Sequence, residues 1–386
     1  MFYVKKKSDA LHKKWVDSKN KKCLVIQGAR QTGKTYIVER FAEENYEEIV
    51  EINFKQIPSA MDIFSGDLTV DNMVMAMRFR FPEKKIIPGK TMIFLDEIQA
   101  YPHLLTMLKF LAQDGRFTYI ASGSLLGVTL AQIPSIPMGS IRKVQMFPLD
   151  FEEFLYANGL NEFAITAMRR RFEALEALDE ATHNKVMDLF RKYLLVGGLP
   201  DAVNTYLAEK NIQTVREIQR EIHDYYAADA SKYGEERKLM IRRIYDLIPS
   251  NMENKKKRVV AQSIENKKGK TFHDYSDEFE YLISAGIALN VQAISNPVFP
   301  LIESTGKNLL KLYLNDVGIL TDILCGNNIR AVLDDEKSIN LGSVYETVVA
   351  SELIAHGYKL FYYDNRSKGE VDYLIDDYDS LSAVPI

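Results

Sequence analysis

The chain has 386 residues, 46% of them hydrophobic and 26% charged, with a formal net charge of −4. Such a length predicts two or three domains, and the composition is that of a globular chain rather than a fibrous or disordered one. The small negative balance excludes the global basic field that announces nucleic acid, and no uninterrupted apolar stretch is long enough to span a bilayer.

The first residues, Met1-Phe2-Tyr3-Val4-Lys5-Lys6-Lys7, are followed by no apolar h-region, so no signal peptide is expected. Cys23 and Cys325 are far apart and read as free thiols in a reducing cytosol, which makes a cytoplasmic, membrane-free protein the expectation. Residues 8–20, which hold Trp15, read as a short amphipathic lead-in helix.

Cys23-Leu24-Val25-Ile26 is a buried strand by its apolar run, and Tyr36 to Ala42 has helical apolar spacing. Between them stands Gly28-Ala29-Arg30-Gln31-Thr32-Gly33-Lys34-Thr35, the G-x-x-x-x-G-K-[ST] spacing of a phosphate-binding loop in the strand–loop–helix context that the motif needs. The glycines allow backbone conformations and approaches that a Cβ blocks. The loop N–H groups and the helix dipole then favour phosphate oxygens. Gly28 through Thr35, with Tyr36 at the helix start, are the expected nucleotide contacts. Lys34 is expected on the β- and γ-phosphates, and Thr35 on Mg²⁺.

Glu48 to Phe54 is a second strand, residues 59–80 are predicted helical, and Lys90 to Leu95 is a third, apolar strand ending in Asp96-Glu97. An apolar strand closing on two acids about 60 residues after a P-loop is the Walker B pattern. Asp96 would help Thr35 hold Mg²⁺, and Glu97 would orient or activate the attacking water. A helix is predicted over Leu104–Ala112 and a strand over Phe117–Ala121, ending in Ser122-Gly123-Ser124. Ser122, or else Ser124, would sense the γ-phosphate there; an ordinary strand-to-loop serine is the alternative.

Alternating strands and helices predict an α/β fold, a parallel sheet with helices on both faces that binds ligands at the strands' carboxyl ends. Arg142 precedes the strand-like Val144-Gln145-Met146-Phe147. It is a candidate finger on a γ-phosphate, in cis or from a neighbouring subunit, with a plain surface arginine as the alternative.

Residues 151–158 and 160–195 read as helices of a lid, which closes on Val196-Gly197-Gly198-Leu199-Pro200-Asp201, glycines ending one helix and proline opening the next. Residues 206–246 are helical by pattern. The segment 251–270 is basic, with Lys255, Lys256, Lys257, Arg258, Lys267, Lys268 and Lys270. Thr271–Ala285 is predicted helical, and Ile287–Val291 a strand. This arrangement resembles a winged helix. DNA contact through 255–270 is one reading. Protein or interdomain packing is the other, because the predicted reading helix exposes His273, Asp274, Asp277, Glu278 and Glu280, an acidic face that repels phosphate.

Taken together, GARQTGKT, IFLDEIQ, ASGSLL, MFPLDFEEF and VGGLPDAV resemble the prokaryotic P-loop ATPases of the AAA+ superfamily that carry an AAA-type core and a C-terminal domain of unknown function. The resemblance implies ATP/ADP and Mg²⁺ as ligands and a helical lid. The Gly198-Leu199-Pro200 turn is similar to the Gly-x-Pro element of signal-transducing NTPases, which would place Pro200 near adenine. Helix 344–354 followed by strands 360–363 and 370–375 resembles the restriction-endonuclease-like fold, in which a helix Glu, a strand Asp and a Glu-x-Lys strand bind metal and activate water. Glu346 and Asp372 match the first two roles. The third is absent, because the chain reaches Ala383-Val384-Pro385-Ile386 where that strand is expected. A truncated or degenerate domain without its lysine is expected not to cut, and Glu346 and Asp372 are otherwise scaffold.

The expected organisation is therefore a P-loop ATPase core at 1–150, a helical lid at 151–205, a winged-helix domain at 206–300 and a partial endonuclease-like domain at 301–386. The leading expectation is an ATP-dependent switch protein with a protein partner or homo-oligomer. The alternatives are an ATP-gated DNA-binding or DNA-cleaving protein and a nucleotide-bound interaction module that barely turns over.

Overall fold

A computed structural model describes residues 22–65, 69–124, 139–229, 235–253, 257–305, 309–334 and 341–386. The expected lead-in helix and Lys255 and Lys256 lie outside the described residues. The chain divides into two compact units, 5–147 and 148–386.

In the first unit the chain runs β1 (Cys23–Gln27), α1 (Lys34–Asn45), β2 (Glu48–Asn53), a 3-10 segment (Pro58–Phe64), α2 (Val70–Arg80), β3 (Thr91–Asp96), α3 (Leu104–Asp114), β4 (Thr118–Gly123) and β5 (Ile141–Gln145). All five strands are parallel, in the order β2-β3-β4-β1-β5. The near-continuous apolar runs are what a parallel sheet covered on both faces demands. Alternate residues divide between two cores. Val25, Ile93, Leu95 and Ala121 pack with Met73, Met77, Leu104 and Leu108 from α2 and α3. Leu24, Ile26, Phe94 and Ile120 pack with Ile37, Val38 and Phe41 from α1. Full burial of side chains of this size contributes about 1.5–3 kcal/mol each.

The helix expected over 59–80 is two pieces. Pro58 opens the 3-10 turn, and Thr69 restarts the chain as an N-cap whose side chain accepts the Asn72 N–H. Strand β5 begins earlier than expected, so Arg142 lies within it and not before it.

The second unit begins with helices α4 (Phe151–Ala157), α5 (Glu162–Glu173), α6 (Glu180–Val196), α7 (Pro200–Glu209), α8 (Ile212–Asp229), α9 (Glu235–Glu253), α10 (Ala261–Glu265) and α11 (Ser276–Ser284). Then follow β6 (Ala288–Ile294), β7 (Leu310–Leu314), α12 (Val317–Cys325), α13 (Ile329–Leu333), α14 (Gly342–Ala355), β8 (Phe361–Asn365), β9 (Gly369–Asp377) and β10 (Ser382–Pro385). The predicted helix 160–195 is divided between α5 and α6, with Asp179 capping the second by accepting the Thr182 N–H. Helices α12 and α13 carry no counterpart in the sequence expectation.

The second sheet has the order β10-β9-β8-β6-β7. Strand β6, expected to close a winged helix, lies between β7, antiparallel, and β8, parallel. A boundary at 300/301 would cut through this sheet, so the strand expected for the winged helix belongs with the C-terminal strands instead. Strand β10 pairs with β9 and forms the strand expected after Asp372, but it is Ser-Ala-Val-Pro, without Glu or Lys. Among the described residues no helix is long and apolar enough to cross a membrane.

Candidate nucleotide site

The loop after β1 is shaped by two glycines for different reasons. A Cβ on Gly28 would stand 2.3 Å from the Met146 carbonyl oxygen, so only glycine lets the loop pass over the chain leaving β5. Gly33 takes φ 84° and ψ 24° as the N-cap of α1, a left-handed conformation that costs other residues about 1 kcal/mol. Gln31 shares the left-handed hand at φ 60°. Such alternation turns successive N–H groups to one side and makes an anion-binding concavity. Thr32 is fully buried and braces the loop by donating its hydroxyl to the Ala29 carbonyl at 2.9 Å.

Lys34 is buried and arches back over the loop, donating from Nζ to the carbonyls of Gly28 at 3.1 Å and Ala29 at 2.7 Å. The next residue, Thr35, donates its hydroxyl to Asp96 Oδ2 at 3.4 Å. The two sequence motifs, 61 residues apart, therefore meet in space. Tyr36 is half-buried in the first turn of α1, and Arg30 is half-buried in the loop.

Strand register explains why Asp96 is so well surrounded. Leu95 pairs with Ala121, which brings Ser122 beside Asp96, and Asn53 pairs with Asp96 directly. The Ser122 hydroxyl donates to Asp96 Oδ1, and Asn53 Nδ2 donates to Oδ2 at 3.0 Å. Burial pushes the Asp96 carboxyl above its ordinary range, and the Ser122 hydrogen bond works against that rise. Ser122 is thus committed to Asp96. The hydroxyl of Ser124, its runner-up, is buried and makes no hydrogen bond among the described residues.

Glu97 follows in a left-handed conformation, φ 53° and ψ 38°, which aims its side chain away from the strand. Its carboxylate accepts from Gln99 Nε2 at 2.7 Å and is ion-paired with Lys55. Behind the site, burial raises the carboxyls of Glu39 on α1 and Glu51 on β2, which share a hydrogen bond. Asn53, Lys55, Gln99, Glu39 and Glu51 were not among the sequence candidates. Only the alternation of β2 put Glu51 and Asn53 on one face of a strand neighbouring β3, and nothing local marked the rest.

Arg142 is not brought to this site. It pairs with Leu24 near the start of β1, whereas the loop leaves the far end of that strand after Gln27. The expectation of a finger in cis is corrected on this register.

The remaining candidates lie in the second unit. Pro200 holds the first position of α7, and the turn before it is set by packing. A Cβ on Gly198 would meet the Leu149 carbonyl at 2.0 Å, and one on Gly197 would meet Asp316 Oδ1 at 2.2 Å. The Glu346 carboxylate is ion-paired with Lys257 and accepts from the Tyr313 hydroxyl at 3.3 Å. Asp372 is ion-paired at 2.8 Å with the fully buried Lys311 of β7, whose ammonium also lies 4.9 Å from the centre of the Tyr362 ring. Both carboxylates raise the hydroxyls of Tyr313 and Tyr373, chiefly raised by burial, so they face one locus. The expectation of a lysine-free centre is therefore corrected: the lysines come from β7 and from the chain before α10.

Three described lysines of the basic segment are engaged by neighbouring carboxylates. Lys257 holds Glu346, Lys267 pairs with Glu265 at 2.7 Å, and Lys270 lies 3.6 Å from Asp274.

The parallel sheet and the loop at its carboxyl edge are those of a P-loop NTPase core. Residues 20–155 match the family model described as AAA domain, 187–328 a domain of unknown function (DUF8612), and 341–386 another (DUF4143). The chain is 23% identical over 204 residues to the uncharacterized protein MJ1544 of Methanocaldococcus jannaschii, covering 53% of this chain and 40% of that protein. The chain thus spans less than half the length of this curated relative. Among solved structures it is similar to the Walker-type ATPase paby2304 of Pyrococcus abyssi, with 13% identity, a TM-score of 0.45, 86% of this chain and 96% of that one covered. It is also similar to the Aeropyrum pernix ORC1 protein in complex with DNA, with 14% identity, a TM-score of 0.29, and 85% and 90% covered.

Proposed function

We propose that the chain is an ATP-binding and ATP-hydrolysing switch protein of AAA+ type, cytoplasmic, whose nucleotide state repositions the 148–386 unit. The observation that carries this reading is the meeting of Thr35 and Asp96 at 3.4 Å, with Glu97 next along the strand end. The glycine-shaped loop, its N–H concavity and the Lys34 ammonium suit a polyphosphate in charge and in backbone clearance. Thr35 and Asp96 together supply the hard oxygen donors that Mg²⁺ takes.

Each residue has a separate task. The loop from Gly28 to Thr35 binds and orients the phosphates, with Ala29, Arg30, Gln31 and Thr32 forming its walls and Tyr36 following in the helix. Lys34 exchanges the loop carbonyls for phosphate oxygens as a point charge. Asp96, held by Ser122 and Asn53, keeps one fixed orientation. A Mg²⁺ ion bound by Thr35 and Asp96 would neutralise charge that develops on the phosphates. Glu97 orients water and takes up its proton once Lys55 yields the carboxylate. Pro200 near adenine, and Arg142 acting from a neighbouring subunit of a homo-oligomer, are the remaining parts of this proposal.

Calorimetry with ATP and ADP tests it. Lys34→Ala is expected to abolish binding, and unchanged affinity in that variant would overturn the assignment.

A second reading, ATP-gated action on DNA, is favoured by one observation: Asp372 is paired with the buried Lys311 close to Glu346 and its own lysine. Carboxylates with lysine suit Mg²⁺-dependent phosphodiester hydrolysis. Absence of Mg²⁺-dependent DNA cleavage, with no change on Asp372→Ala, removes it. ATPase measured with and without DNA separates both readings from a nucleotide-bound module that barely turns over.

A further inference from the structure

Helix α5 is thinly attached to the 148–386 unit. Of its twelve residues only Ile165 is buried, in a small cluster with Leu155 of α4 and Leu189 of α6. Isolated helices of this length are marginal in water and are held by an apolar face packed on a neighbour. Here an open cavity of about 610 Å³ takes much of that place, walled by Leu155, Ile165, Phe172, Phe190 of α6 and Val348 of α14. Protein interiors are close-packed, and a space of this kind forfeits contacts for every side chain that lines it.

The same helix and the loop after it hold large apolar side chains out in solvent. Phe163 is 81% exposed, Phe172 80% and Leu175 92%. Phe172 also lines the cavity, so it stands at the mouth. Leu175 follows at φ 57°, a left-handed backbone that branched side chains rarely adopt. An apolar hole and apolar knobs therefore belong to one patch of surface.

We propose that this patch is a homodimer interface. Two copies of the chain meet about a two-fold axis, each inserting Leu175 into the other's cavity while the Phe172 rings at the two mouths pack together.

Charge favours a second copy over a different protein. Arg170, Arg171, Glu173 and Glu176 are all exposed, and none of the four is in an ion pair among the described residues. Arg171 donates to the Ala177 carbonyl at 2.8 Å and so keeps its charge unneutralised. Two positive and two negative side chains give the patch no net charge with which to select a strongly acidic or basic partner. In an isologous contact the same patch stands on both sides, so each arginine meets a glutamate of the other copy. Charges on a rim set partner choice and register in this way. Such a contact closes on itself, which limits the assembly to a dimer. The inference stands on the 148–386 unit alone and does not depend on the nucleotide reading.

Sedimentation equilibrium of the full chain, without nucleotide, tests it. Wild type is expected to approach twice the chain mass as concentration rises, with no larger species. Phe172→Ser combined with Leu175→Ser is expected to raise the dissociation constant at least about 30-fold. Both side chains are exposed, so this variant retains the fold, with far-ultraviolet circular dichroism as the check. Arg170→Glu and Glu173→Arg are each expected to weaken the dimer. An equimolar mixture of those two variants is expected to restore it, a recovery that damage to the fold cannot produce. A wild-type chain that stays monomeric to about 100 μM would overturn the proposal and leave the cavity to a different protein or a small molecule. A dimer unchanged by the two serines would overturn it too, as would a mixture no more associated than either charge variant alone.

Discussion

The Asp316 carboxylate accepts the Gly198 N–H at 2.7 Å, joining residues 118 apart in the sequence. It also accepts the Ile319 N–H at 3.1 Å as the N-cap of α12. Burial nevertheless pushes its pKa up to about 6 from the ordinary aspartate value of about 4, against the lowering effect of those backbone donors. The unfolded chain therefore releases this proton near pH 4, while the folded chain keeps it until about pH 6. Stability from this group is full below the unfolded value and falls as pH rises between the two. A difference of about two units corresponds to about 3 kcal/mol. Urea unfolding of wild type and Asp316→Asn at pH 4 and pH 7 is expected to show wild type losing that much relative to the variant. A constant difference across the range contradicts the assignment.

Arg216 is buried completely between α8 and α12. Its Nη1 donates to the Leu195 carbonyl at 3.2 Å, the Gly318 carbonyl at 2.9 Å and the Thr321 hydroxyl at 3.1 Å. Its Nε lies 3.7 Å from Asp322, which the partly exposed Arg220 also grips with two hydrogen bonds. Removing the guanidinium strands several buried acceptors, so Arg216→Ala is expected to cost about 3–5 kcal/mol in chemical denaturation. Arg216→Lys is expected to recover only part of it, because an ammonium lacks the planar fork.

Glu97→Gln keeps size and shape but removes the carboxylate proposed as the base. ATP affinity is expected to stay within about 3-fold of wild type while turnover falls at least about 100-fold. Asp96→Asn is expected to weaken Mg-ATP more than ATP without Mg²⁺. Equal turnover in wild type and Glu97→Gln removes Glu97 from the chemistry.

Lys55 holds the Glu97 carboxylate, and no motif contains it. Lys55→Ala releases that carboxylate from its ion pair. Basal ATP turnover is expected to rise severalfold with nucleotide affinity unchanged. A fall in turnover to the level of Glu97→Gln would mean instead that the lysine positions the base.

The sequence was most informative where chemistry and chain connectivity coincide. Gly28 to Thr35 and Met92 to Glu97 are each contiguous, and their strands are apolar enough to be read one residue at a time. Ser122 was legible as a strand-end residue beside the Walker B strand, though not as a hydrogen-bond donor to Asp96, whereas Lys55 against Glu97 was illegible because Lys55 lies in the turn after β2 and belongs to no motif. Helix α12 escaped because Val317 to Asp322 are all buried and show no polar face. Its Gly318 reads as a helix breaker, yet a Cβ there would stand 2.3 Å from Gln219 Nε2 and 2.7 Å from the Val196 carbonyl. Glycine is required by the neighbouring helices and not by the local backbone. The same lesson applies to Lys311, which reads as one charge in an apolar strand and is the buried partner of Asp372.

The carbonyl that Gly28 touches belongs to Met146, whose own N–H donates to Gln27 at 2.8 Å. The polypeptide leaves the P-loop unit one residue later, at Phe147. The connection to residues 148–386 therefore leaves the sheet directly beside the first residue of the glycine loop, so that Gly28 is set by the exit of the chain as much as by the motif it begins.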